Sequence, residues 1–431
     1  MKILHIIPRW IGGGPERHIL KAVSYDRELS TNVTRRVIVL DKPVSSTLFI
    51  KARKLAISLV VAPQQSDLLL EIEDADIVEI TYWNHPLLLD LLRRQLPPIR
   101  LLIRSVIAGN TLPHILFPEL VALPDLWILS TPPGHGKHSL EHKYVQHVPA
   151  LSDMSRLANF TPKSHSEVRI VYLGSLEKTK LHPDFVNIVA GINTKGIHFD
   201  MFGDADTKTI VSLTQALNEK NILERVSFHG HVEQITDAFA EADIFAYPLA
   251  LGGYATSEKS LQEAMWVGLP CVVMAGTAAT GWIKHGVTGF ITNNCDEFIL
   301  TLKQLADDHV LRRRIGDAAA TEARKLFDPS QNSLRIMNIY MELLERPKRK
   351  RLPISGIDSP PHQQFLQSLG EFEKMFLSLI NIDRQKKTPN ANLNVEILLS
   401  GEGGLIHYIK TFPEDKILVE WMKSFQSYMD S

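Results

Sequence analysis

Residues 247–290 read YPLALGGYATSEKSLQEAMWVGLPCVVMAGTAATGWIKHGVTGF, and no other part of the chain is as informative. A strand ending in IFAYP gives way to a loop, and a helix is expected to open near Ser257. Gly268-Leu269-Pro270 stops it, and CVVM (271–274) begins the next strand. A helix that starts at the C-terminal ends of parallel strands offers N–H groups and a positive dipole end to a phosphate. Ser257, Lys259 and Ser260 fall at that start, and Glu263 lies two turns in, where a carboxylate accepts hydrogen bonds from ribose hydroxyls. The arrangement suits a nucleoside diphosphate.

Outward from this stretch the same grammar repeats. ILHII (3–7), RRVIVL (35–40), DIVEIT (76–81) and IRLLIRS (99–105) are short apolar runs separated by helix-like segments. They predict one parallel-sheet domain over 1–150. After the polar stretch LSDMSRLANFTPKSHSE (151–167) the pattern restarts with VRIVYLGS, GIHFDMFG, RVSFHG, ADIFAYP and PCVVMA, giving a second domain over 166–345. The expected architecture is α/β, two Rossmann-like domains facing a cleft, followed by a partly helical extension over 346–431.

At this point the chain resembles the retaining glycosyltransferases of the large two-Rossmann-domain group, often called family 4, with the GT-B architecture. There the segment reads roughly E-G-F-G-x-x-x-x-E-A-M-A-x-G-x-P. Glu263 in QEAMWVGLP matches the second glutamate, while Ala255 stands in place of the first. The resemblance covers roughly residues 1 to 345. It implies a nucleotide-sugar donor bound mainly by the second domain and a glycan or lipid-linked glycan acceptor bound mainly by the first. GGGPERH (12–18) matches the family's G-G-x-E-R run, so Gly13 and Gly14 are expected at the ligand, where missing side chains let it approach backbone amides. Arg17 excludes a G-x-G-x-x-G dinucleotide fingerprint. In YLGSLEKTKLHPDF (172–185), Lys180 matches a phosphate-holding lysine, but Ser175 replaces an arginine and Leu181 a glycine. A lone lysine acts as a point charge without arginine's bidentate fork. Lys259 is placed to assist, and Glu258 is a candidate to replace the carboxylate absent at Ala255.

MFGDAD (201–206) and VSFHGHV (226–232) fall where the family borders the nucleotide, making Gly203, His231 and Val232 expected backbone contacts. The family's first-domain histidine is replaced by Val106, leaving His85 as the candidate beside the reacting sugar, with His114 behind it. The paired aspartates Asp74/Asp76 and Asp204/Asp206 resemble metal ligands of another glycosyltransferase fold, but helix capping and solvation account for them. No metal and no cofactor are expected, the nucleotide sugar being a substrate.

The remaining features bound the class. A net charge of -1 gives no case for nucleic-acid binding. Two cysteines, Cys271 and Cys295, fit a reducing compartment, and with no signal-peptide pattern at the start the expectation is a cytoplasmic protein. ERPKRKR (345–351) reads as a solvated linker, with peripheral contact to anionic lipid as the alternative. Phe365, Leu369, Phe372, Phe376 and Leu379 make one helical stripe that must be buried, either on the protein itself or on a partner or second copy. ILLSGEGGLIHYIKTFPEDKILVEW (397–421) has no reading, its glycines fitting a turn or a ligand loop equally. The leading functional expectation is a retaining glycosyltransferase. The alternative is a degenerate relative that binds a glycan or protein without turnover, motivated by Ala255, Ser175 and Val106; an epimerase or hydrolase lacks any motif.

Overall fold

The computed structural model describes residues 1–28, 32–132, 144–158, 160–163, 165–232, 234–252, 256–354, 359–380, 398–399 and 401–429. Ala255 lies outside the described residues. Two compact units emerge. The first comprises Met1–Thr131, Gly136–Ala150 and Ser333–Ser431, and the second is mainly Leu151–Asn332. The extension is therefore part of the first unit, as are most residues of the helix Pro329–Leu344, which crosses from the second unit onto the first.

The first unit's strands are β1 (Lys2–Ile7), β2 (Thr34–Val39), β3 (Ser58–Val61), β4 (Ile77–Tyr82), β5 (Leu101–Ser105), a hairpin of β6 (Asn110–Thr111) and β7 (His114–Ile115), β8 (Leu126–Leu129) and β9 (Val145–His147). The main sheet runs β3-β2-β1-β4-β5-β8-β9, and the pairs are parallel. Its central strands are buried on both faces, as near-continuous apolar runs require. The second unit holds β10 (Val168–Leu173), β11 (Ile197–Phe202), β12 (Val226–Gly230), β13 (Ile244–Tyr247), β14 (Cys271–Met274) and β15 (Gly289–Thr292), in the order β12-β11-β10-β13-β14-β15. Each order places the first strand beside the fourth, the Rossmann arrangement. The chain leaves those two neighbours in opposite directions, which opens a crevice at their C-terminal ends. In the first unit that crevice lies beyond β1 and β4, and in the second beyond β10 and β13.

The extension docks on the first unit. Phe365, Leu369 and Phe376 are fully buried in its core, and Phe372 and Leu379 pack against them. The stripe is carried by two helices, Pro361–Ser368 and Glu373–Ile380, broken by a tight turn in which Gly370 adopts φ +55°. The basic run is not a solvated linker. Arg346 and Arg351 bind the carbonyls of Asp125 and Leu123, Arg349 and Arg351 pair with the Asp125 carboxylate, and Lys348 reaches the Glu73 carbonyl. A buried network fastens the helix Pro329–Leu344 to the same sheet: Arg35 grips Asp26 with two bonds, Arg104 bonds Glu79 at 2.8 Å, and the Tyr340 hydroxyl donates to Glu79. Among the described residues no helix is long and apolar enough to cross a membrane.

Candidate functional site

At the crevice of the second unit, the loops following β10 and β13 are tied together. The amide of Ala250 donates to the Lys180 carbonyl at 2.9 Å, and Leu181 bridges Leu249. This juxtaposition brings two sequence-predicted residues into contact. Lys180 Nζ lies 2.8 Å from Glu258 Oε2, to which the Tyr247 hydroxyl also donates at 2.7 Å. The amide and hydroxyl of Thr256 both donate to Glu258 Oε1 at 3.1 Å. Burial pushes the Glu258 carboxyl upward, but Lys180 and Tyr247 outweigh it and the group sits below its ordinary range. It is a carboxylate at neutral pH.

This geometry corrects the sequence reading in one respect. The helix spans Lys259–Trp266, not a segment opening near Ser257, and Glu258 precedes it with left-handed backbone angles, φ 50° and ψ 51°. A non-glycine residue held there stores strain that its surroundings must offset, and the three groups gripping its carboxylate supply that restraint. Lys180 is thus not a bare cation awaiting phosphate; it carries an internal counter-ion.

Glu263 is buried and paired with Arg156, from a short turn at Met154–Leu157 that sequence reasoning had treated as linker. Ser257 contributes its carbonyl, which accepts from the Gln262 side chain at 2.6 Å, while Lys259 and Ser260 are half-buried in the first turn. Gly203 adopts φ +148°, and a Cβ there would meet the Gly174 carbonyl oxygen at 1.7 Å. Close packing of two loops therefore explains this glycine without a ligand. Val232 is half-buried against the unit's core, and exposed His231 sits 3.2 Å from Asp204. Asp206 caps the helix Thr207–Glu219 through the Thr209 amide, while Asp74 and Asp76 bind the Lys2 ammonium and amide.

In the first unit, Glu16 Oε1 accepts the amides of Ile11 at 2.8 Å and Gly12 at 3.2 Å. The glycine loop preceding the helix Gly14–Glu28 is therefore partly self-capped, and a Cβ on Gly13 would crowd Glu16. His85 is fully buried ahead of the helix Pro86–Leu92, with neither ring nitrogen hydrogen-bonded and Nε2 4.0 Å from Asp41. Burial, then His407 and Arg9, push its pKa down to about 2, so it is a neutral imidazole. His114 is buried in the hairpin, and burial lowers its pKa to about 3.

For a metal, the described residues bring together His182, Asp184 and Cys295, with one ligand atom of each within 4.8 Å of the others. His182 Nδ1 already accepts the Asp184 amide at 3.1 Å, and Cys295 Sγ lies 3.9 Å from both His182 Nδ1 and Asp184 Oδ2. Burial and Asp184 raise the thiol pKa, keeping it protonated. As arranged, these groups satisfy one another.

Arg156, Tyr247 and Thr256 are site neighbours that no sequence motif signalled. Arg156 lies in a polar stretch, Tyr247 ends an apolar strand, and their partners are fixed only by the fold.

Residues 167–308 match the family described as Glycosyl transferases group 1. A curated relative, N-acetyl-alpha-D-glucosaminyl L-malate synthase of Bacillus anthracis, is 26% identical over 209 residues, 46% of this chain; the chain spans about half (52%) of that relative's length. Among solved structures, a glycosyltransferase from Rickettsia africae ESF-5 is similar with TM-score 0.65 and 14% identity, covering 80% of this chain and 99% of its own. The Anabaena protein HepE, in complex with UDP and glucose, gives TM-score 0.62 and 15% identity, covering 79% and 100%. The fold is that of GT-B proteins.

Proposed function

We propose that this chain is a retaining glycosyltransferase of the family 4 type, moving a sugar from a nucleotide-sugar donor to a glycan or lipid-linked glycan acceptor. The observation that carries this reading is the Lys180–Glu258–Tyr247 cluster at the β10/β13 crevice, inside the segment that matches Glycosyl transferases group 1. Lys180 and the helix start at Lys259 meet the diphosphate, Glu263 the ribose, and Glu258 the sugar. HepE, whose crystals hold UDP and glucose, supports a donor of this class. A departing diphosphate competes with Glu258 for Lys180, so the ammonium is released to the leaving group as negative charge develops there. Neutral His85 provides no acid. Retention needs electrostatic support of the oxocarbenium-like centre more than a strong base, and Glu258 supplies a carboxylate for it.

Ser175, Val106 and the neutralised Lys180 favour one second reading, a binder without turnover. Calorimetry with UDP and other nucleoside diphosphates, followed by assay of donor hydrolysis and of product anomer by NMR, separates the two. Binding that weakens by about 1.5–3 kcal/mol in Glu263→Ala is expected, with turnover that persists in excess chelator. Binding without turnover across a donor panel selects the second reading, and unchanged affinity in a folded Glu263→Ala variant removes the proposed site.

A further inference from the structure

The first unit's crevice, beyond β1 and β4, is lined in part by the C-terminal extension. The turn Gly401–Gly404 presses on Asn84, the residue before His85. Gly403 adopts φ +85°, and a Cβ there would meet the Asn84 carbonyl and amide at 2.9 Å. From this turn Glu402 reaches Arg9 Nη1 at 2.6 Å, and Asp41 lies 3.5 Å from Arg9 Nε. His407, at the start of the helix Leu405–Thr411, stacks edge-on against His85 with centroids 4.6 Å apart.

The hydrogen bonding of this cluster is incomplete. His407 Nδ1 accepts the Gly403 amide at 3.0 Å, so in the neutral ring Nε2 carries the proton. That nitrogen faces Arg9 Nη2 at 3.0 Å, and a guanidinium only donates. Two donors therefore oppose each other, while buried His85 has neither nitrogen hydrogen-bonded. An oxygen atom accepting from Arg9 and His407 relieves the mismatch. The local charge favours a neutral carrier of that oxygen, because Arg9 already faces two carboxylates, Asp41 and Glu402. A hydroxyl accepts from the guanidinium and imidazole and donates to the carboxylates. An anionic group meets a cation that is already compensated.

We infer that Arg9, Asp41, Glu402 and His407 form a subsite for a neutral, polyhydroxylated ligand, in which the C-terminal extension supplies the specificity-determining residues Glu402 and His407. This rests on the transferase reading only in identifying the ligand with the acceptor. The C-terminal extension places the Glu402 and His407 side chains at a crevice where α/β sheets bind ligands.

The test is calorimetry on the full chain with neutral methyl glycosides of glucose, mannose and N-acetylglucosamine, and with succinate as the anionic probe. At least one glycoside is expected to bind about tenfold or more tightly than succinate. Glu402→Gln, nearly isosteric, weakens that glycoside about tenfold and strengthens succinate by freeing Arg9; His407→Ala weakens the glycoside. The inference is overturned if no glycoside binds, if succinate binds as tightly to the unaltered chain, or if both folded variants bind the glycoside as tightly as the unaltered chain does. UDP binding, measured on the same samples, reports on the other unit. Glycoside binding in this pattern without binding of UDP or any other nucleoside diphosphate removes the transferase reading and keeps the subsite, and the reverse result does the opposite.

Discussion

Glu258 concentrates the residue-scale argument, because its backbone strain, its burial and the charge on Lys180 are all balanced through one carboxylate. Glu258→Gln keeps the shape and removes the charge, leaving Lys180 without a counter-ion. A loss of about 1.5–3 kcal/mol in denaturant unfolding is expected. The pH dependence has a defined sign. The folded-state pKa lies below the ordinary carboxylate value, so the pair's stabilisation is present above that value and is lost as pH falls through the folded one. The acid limb of the stability profile should therefore flatten in the variant; an unchanged limb would show that the pair is not coupled to folding. At this scale the sequence made Glu258, Lys180 and Glu263 legible as charged residues at loop and helix positions. It could not reveal their partners, since Lys180 and Glu258 are 78 residues apart and Arg156 and Glu263 are 107 apart.

At the scale of elements, the helix bearing Glu263 is positioned from behind by the helix His309–Phe327. A Cβ on Gly316 would lie 2.0 Å from the Gly268 carbonyl oxygen, so the two elements approach backbone to backbone. An isolated helix would gain up to about 1 kcal/mol from Gly→Ala. Here Gly316→Ala must displace Gly268 and the turn that ends the site helix, and a net loss of about 1–3 kcal/mol is expected instead. Nucleotide affinity should fall with it, although Gly316 lies outside the cluster around Glu258. By contrast Gly252→Ala, at φ +77° with nothing within 4 Å of the added Cβ, should cost only about 1–2 kcal/mol of backbone strain. A Gly316→Ala variant as stable in thermal denaturation as the unaltered chain would refute the packing argument. The strands were legible because runs such as ILHII and CVVM are buried on both faces, which apolar composition alone signals. The helix start was misplaced by two residues because Glu258 takes left-handed angles that its side-chain contacts, not its propensity, impose. ERPKRKR looked solvated because its acceptors, Asp125 and the carbonyls of Leu123 and Glu73, are more than 220 residues away.

For the whole molecule, the two units share a topology but differ in what they bury. The first encloses His5, His85, His114 and His407, with pKa values of about 3, 2, 3 and 4, each lowered chiefly by burial. The second has buried His182 lowered in the same direction, and otherwise relies on carboxylates such as Asp200 and Glu258 that hold their charge to lower pH. In an unfolded chain each histidine takes up a proton near pH 6.5. In the folded first unit these four do not until far lower, so the unfolded state binds more protons and stability falls as pH drops below about 6.5. The carboxylate contribution is lost only nearer pH 4. The first unit should therefore open in acid before the second. Hydrogen exchange followed by mass spectrometry, stepped from pH 7 to 4 and corrected for intrinsic exchange rates, reads this directly: peptides from β1 and β4 should lose protection at higher pH than those from β10 and β13. Simultaneous loss, or earlier loss in the second unit, would contradict it. His85→Phe, which removes one of the protonating groups from the core, should shift the first unit's transition to lower pH and leave the second in place.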